Sequence, residues 1–138
     1  QMMPNMLIKN SLANALRDLI EKTSTPKLAV NLQIEGLEKE VDQNIQVTLY
    51  RIIQECINNT VKHSGADKID ISVIQSYKKI TTEIKDNGKG FNPLKISENK
   101  DGIGLQNMKA RIEMLKGKMR IDSAADRGTQ VFIEIPIV

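Results

Sequence analysis

Glu55, Asn59 and Lys62 lie four and three residues apart in a stretch that reads as helix, so they share one face. That face runs beside the apolar stripe rather than opposite it, which puts three polar side chains at the edge of a core, turned towards a cleft. An asparagine amide oxygen is a hard, neutral ligand that suits one vertex of a Mg2+ octahedron, with phosphate oxygens and waters for the rest. Lys62 can neutralise phosphate charge, and Glu55 can polarise a water or an attacking group. A solvated charged face has the same spacing, and on spacing alone it is the ordinary explanation. His63, the only histidine, follows at the end of the helix. It can accept a phosphoryl group, contact a ligand or cap the helix, and a cation at a helix end is the commonest of these. Cys56 falls in the apolar stripe and reads as an inert core thiol.

Two glycine loops come next. In Asp86-Asn87-Gly88-Lys89-Gly90-Phe91, the carboxylate of Asp86 can accept a hydrogen bond from an exocyclic amine, which adenine has and guanine lacks at the equivalent edge. Gly88 and Gly90 let the backbone pass close to a flat base. An Asp-Asn-Gly turn between two strands explains the same residues without a ligand. In Gly102-Ile103-Gly104-Leu105, the glycines run straight into a helix, where free amides make an anion site. Alone, Gly-x-Gly is weak, and here it is neither a P-loop nor a dinucleotide fingerprint. Helix, two loops and a late Gly128-Thr129, in that order, describe a nucleotide pocket.

The elements that must carry these residues are legible from periodicity. Leu12, Leu16, Leu19 and Ile20 predict a helix over 7–22, downstream of Pro4. Thr23-Ser24-Thr25-Pro26 marks a turn, and Leu28 to Glu35 alternates as a strand. Asn44 is the expected cap of the next helix, which runs to about His63 and ends at Gly65. Strands are predicted over 69–75, 80–85, 118–123 and 129–137. Residues 92–101 read as a mobile loop, and Leu105 to Leu115 as a helix with Met108 and Ile112 on its apolar face. The sum is an α+β fold, a two-layer α/β sandwich. A mixed sheet of about five strands is covered on one face by about three helices.

Composition bounds the function. The 138 residues fit one domain with a core, and 40% are hydrophobic but only 3% aromatic, so that core is aliphatic. Twenty basic and 17 acidic residues give a net charge of +3, spread along the chain. No arginine-rich block or aromatic platform points to nucleic acid. One cysteine excludes an internal disulfide and a paired-cysteine metal site. No signal peptide or membrane span is visible, and a reducing cytosol fits best.

Taken together, Glu-x-x-x-Asn-x-x-Lys-His at 55–63, Asp-Asn-Gly-Lys-Gly-Phe at 86–91, Gly-Ile-Gly-Leu-x-Asn-Met at 102–108 and Gly128-Thr129 resemble the ATP-binding domain of sensor histidine kinases, in the GHKL superfamily. Leu49 to Glu55, Lys62-His63-Ser64 and Asn107 to Ile112 are similar to the branch of nitrate-sensing and membrane-fluidity-sensing bacterial kinases. The resemblance covers about residues 28–138. It implies ATP and Mg2+ as cofactors, with Asn59 holding the metal. Glu55 occupies the position of the hydrolytic base in the superfamily, a position that is Asn in many other histidine kinases. Lys62 and His63 would contact the nucleotide, and Asp86 the adenine amine. Gly88 and Gly90 would border the base, Gly102 and Gly104 the phosphates with Leu105 beside them. Thr129 would support Asp86, directly or through a water, and 92–101 would be the ATP lid.

A complete kinase of this type also carries a phosphoacceptor histidine on a dimerisation domain, whereas the only histidine here is His63. The resemblance therefore implies an excised catalytic domain, with residues 1–27 the remnant of the dimerisation helix and linker and 28–138 the ATP-binding domain. Its partners would be the helical phosphoacceptor domain of the same protein and a response regulator. The parent would be a homodimer and this chain a monomer, cytoplasmic or the cytosolic part of a membrane-anchored sensor. Two alternatives stand beside it: a stand-alone serine kinase of the anti-sigma-factor type, against which Asn107-Met108 and Tyr50-Arg51 argue, and a degenerate module that no longer binds nucleotide.

Overall fold

The computed structural model describes residues 11–37, 41–89, 100–124 and 126–137, with backbone alone at 63–64 and 100–105. Ser11 begins helix α1 (Leu12–Thr23) by accepting the Asn14 N–H on its hydroxyl, which satisfies one of the free first-turn amides. After a turn closed by Thr25 and Leu28 comes β1 (Ala29–Glu35), then α2 (Gln43–Asn59). A five-residue π-helical turn, Thr60–Ser64, continues α2 and ends at Gly65 in the left-handed region. Strands β2 (Lys68–Gln75) and β3 (Lys79–Asp86) form a hairpin. Helix α3 (Lys100–Met114), β4 (Lys118–Ser123) and β5 (Thr129–Pro136) complete the order.

The sheet order is β1-β2-β3-β5-β4. β1 and β2 are parallel, and the other pairs antiparallel. A parallel neighbour needs a crossover connection, and α2 is that crossover. The period-two pattern decides the faces: Ile80, Thr82, Ile84 and Asp86 of β3 are buried, while Lys79 and Lys85 are exposed. Onto the buried face pack Leu12 and Leu16 from α1, Leu49, Ile52, Ile53 and Ile57 from α2, and Ile112 from α3. The result is the expected two-layer sandwich, among the described residues a mixed five-stranded sheet with three α-helices.

Several local expectations are corrected. The cap of α2 is Asp42, whose carboxylate accepts the Asn44 N–H at 3.2 Å; Asn44 is the donor, already inside the first turn. Gly102 and Gly104 do not form a loop before a helix at Leu105, because α3 starts at Lys100 and takes both into its opening turns. Glycine weakens a helix by about 1 kcal/mol against alanine without forbidding it. Gly90 and 92–99 of the expected lid lie outside the described residues, and 100–101 belong to α3. The helical phase of α2 also stops at Asn59, so Glu55 and Asn59 share a face in α-helical register while Lys62 sits in the π turn.

Residues 1–10 of the expected remnant lie outside the described residues. Leu12, Ala15 and Leu16 of α1 are fully buried in the same core as the strands.

Candidate functional site

Asp86 ends the buried row of β3, so the sheet carries a carboxylate where the preceding inward residues are isoleucine and threonine. A polar group so placed needs hydrogen-bond partners, and it has two. The Thr60 hydroxyl donates to Oδ2 at 3.2 Å, and the Gly88 N–H donates to Oδ1 at 2.8 Å. The turn after Asp86 is fixed by Asn87, whose Oδ1 accepts the amides of Asp67 and Lys68, both at 3.1 Å. The Asp86-Asn87-Gly88 stretch is thus a braced strand end.

Across the ladder, Asp86 stands opposite Thr129. The Thr129 hydroxyl lies 2.8 Å from the Ser123 hydroxyl, and the side chain hydrogen-bonded to the Asp86 carboxylate is that of Thr60. Gly128, at φ +78°, passes so close to Asp86 that a Cβ would collide with its carbonyl oxygen. The β4–β5 turn is further tied to the first glycine loop by the Asp126 N–H, which donates to the Lys89 carbonyl. Asp86, Gly128 and Thr129 line a cavity of about 420 Å3 together with Lys85 and Arg127, and Glu55, Asn59 and Lys62 are not among its lining residues. That volume lies within the range of small-molecule sites.

On the helix side, Glu55 and Asn59 are half-buried and Lys62 is exposed. His63 is described in its backbone alone, within the π turn. Cys56 is buried on α2, and burial pushes its thiol up from 9.0 to about 12, with the charges of Glu55 and Asp86 adding to the effect. It is the inert core thiol expected. Glu55 and Asp86 therefore flank one stretch of α2. Gly102, Gly104 and Leu105 occupy the opening turns of α3, where the first amides have no intrahelical acceptor.

The residue missed in the sequence is Thr60. It stands on the buried side of α2 with Ile53 and Ile57, and its hydroxyl donates to Asp86. The only signal was its hydroxyl among isoleucines.

The family of histidine kinase-, DNA gyrase B- and HSP90-like ATPases matches residues 44–138. The chain belongs to this family. Within this ATPase family it is similar to the signal transduction histidine-protein kinase/phosphatase DegS of Brevibacillus brevis, 38% identical over 103 residues, covering 74% of this chain and 26% of that protein. It is also similar to the sensor histidine kinase ComP of Bacillus subtilis strain 168, 32% identical over 138 residues, covering 99% of this chain and 18% of that one. DegS of the same strain is 32% identical over 139 aligned positions, covering 36% of its length. The chain thus spans about a third or less of these relatives. Among solved structures, the histidine kinase domain of the Erythrobacter litoralis EL346 blue-light activated kinase superposes with a TM-score of 0.70 over 91% of this chain and 59% of that one, at 15% identity, which shows the shared fold. No helix among the described residues is long and apolar enough to cross a membrane.

Proposed function

We propose that this ATPase-family chain is the ATP-binding catalytic domain of a sensor histidine kinase. It would donate the γ-phosphoryl of ATP to a histidine on a helical dimerisation domain, for relay to a response regulator. The observation that carries the reading is Asp86, a buried carboxylate held by two donors at a strand end and counted among the residues lining a cavity of about 420 Å3. An acceptor held this way fits the exocyclic amine of adenine, and Gly88, with no side chain, lets the backbone pass close to a flat base.

Among the described residues, no group of three or more His, Cys, Asp or Glu is arranged to hold a metal. A Mg2+ ion here would rest on the amide oxygen of Asn59, at the end of α2, and on phosphate oxygens and waters, a donor set that suits it. When bound, it supplies charge neutralisation at the phosphates. The chain's own part is positioning: Asp86 orients the base, Lys62 adds positive charge, the opening amides of α3 face anionic groups, and Glu55 stands one turn from Asn59. Gly90 and His63 are assigned to the nucleotide on the resemblance alone.

The parent protein is proposed to be a homodimer, with α1 leading upstream towards the dimerisation domain while contributing to the catalytic core. The test is phosphotransfer. With γ-labelled ATP and a separately prepared phosphoacceptor domain, the label should appear on the acceptor in an acid-labile, base-stable form. Acid-stable label on serine would overturn the histidine kinase reading in favour of the serine kinase alternative.

A further inference from the structure

Thr60 and Asp86 join two elements across 26 residues of chain. Both are at least nine-tenths buried, at 6% and 8% exposure. A carboxylate has about four lone-pair sites. The Thr60 hydroxyl takes one on Oδ2 and the Gly88 N–H takes one on Oδ1. With both oxygens engaged from the protein side, the carboxylate plane cannot turn without leaving a buried group unsatisfied. The backbone that carries the hydroxyl is anchored, because Thr60 stands where α2 widens into the π turn and its N–H is shared between the carbonyls of Cys56 and Ile57.

We propose that Thr60 is a positioning residue for base recognition: its hydroxyl sets the orientation of the Asp86 carboxylate and through it the preference for adenine over guanine. The inference rests on the ATP-binding reading above and deepens it. Adenine offers an amine to the carboxylate, and guanine offers a carbonyl at the same edge. A carboxylate locked in plane accepts from the first and repels the second. A carboxylate free to rotate would lose part of that discrimination, since a misaligned hydrogen bond weakens steeply.

The experiment compares the parent chain with Thr60→Val, Thr60→Ser and Thr60→Ala, titrated with ATP and with GTP, and with thermal melts of each. Thr60→Val should weaken ATP about five- to tenfold, the size of one buried hydrogen bond, while leaving GTP nearly unchanged, so the ATP-to-GTP ratio narrows by the same factor. Thr60→Ser, which keeps the donor, should hold the ratio near the parent's despite any loss of melting temperature. If Thr60→Val fails to fold, the Ser and Ala variants differ by the hydroxyl alone and read the same effect. A ratio unchanged within twofold between donor and non-donor variants overturns the proposal. A parent chain that prefers neither nucleotide overturns the ATP-binding reading instead, so the two failures are distinguishable.

Discussion

At the scale of single residues, Asp86 carries the most consequence. Asp86→Asn replaces one acceptor oxygen with an NH2 group that must face the Thr60 hydroxyl, the Gly88 amide or the base. ATP affinity should fall more than tenfold while GTP binding changes little, a loss in line with a site built around one hydrogen bond; parallel titrations read both. Cys56 makes a separate prediction. Its folded thiol titrates near 12 against an ordinary 9.0, so the folded state holds the proton more tightly than the unfolded one. The associated stability is complete below about pH 9 and is lost as pH rises towards 12. Thiol reagents at pH 8 should label the chain only at the rate of unfolding, and rapid labelling of the native protein would contradict the burial. Asp86 and Asn59 were legible as sequence because an acid before Asn-Gly and an amide on a helix edge are chemically conspicuous. Thr60 was not, because a β-branched residue in an isoleucine row looks like filler until β3 brings a carboxylate to it.

At the scale of elements, strand periodicity was the dependable signal, and β2 to β5 fall within a residue or two of the alternation in the sequence. The misses were at helix ends, where glycines read as loop are taken into α3 and where α2 widens into a π turn that no 3.6-residue pattern announces. The β4–β5 turn and the end of β3 are pressed together at Gly128. Gly128→Ala should therefore cost about 2 kcal/mol or more, from both the left-handed φ and the collision with the Asp86 carbonyl. A denaturant melt showing no loss would contradict the packing. Thr82, in the middle of β3, is fully buried with a hydroxyl that has no partner. Thr82→Val should raise stability by about 1 kcal/mol, leaving nucleotide binding intact. A destabilised variant would mean that the hydroxyl is satisfied after all.

At the scale of the whole molecule, the sheet order places β3 at the centre, so the Asp86 carboxylate proposed to read the base hangs from a strand paired on both sides. The parallel β1–β2 pair makes α2 a crossover that must return over the sheet, which is how Asn59 and Thr60 arrive above the end of β3. The class of fold was legible as a whole because the aliphatic alternation assigns every strand a buried face. Less legible was how much of α1 the core takes in, because its amphipathic pattern does not say what covers it, and Leu12 and Leu16 are buried in the common core. If the chain is one nucleotide-binding unit, ATP should stabilise it globally, by about 2.7 kcal/mol at a hundred times its Kd. The most direct test is a calorimetric titration of the chain with ATP, with and without Mg2+. Saturable binding that tightens with Mg2+ and weakens in Asp86→Asn is the expected result, and no binding at millimolar ATP in either condition would contradict the central claim.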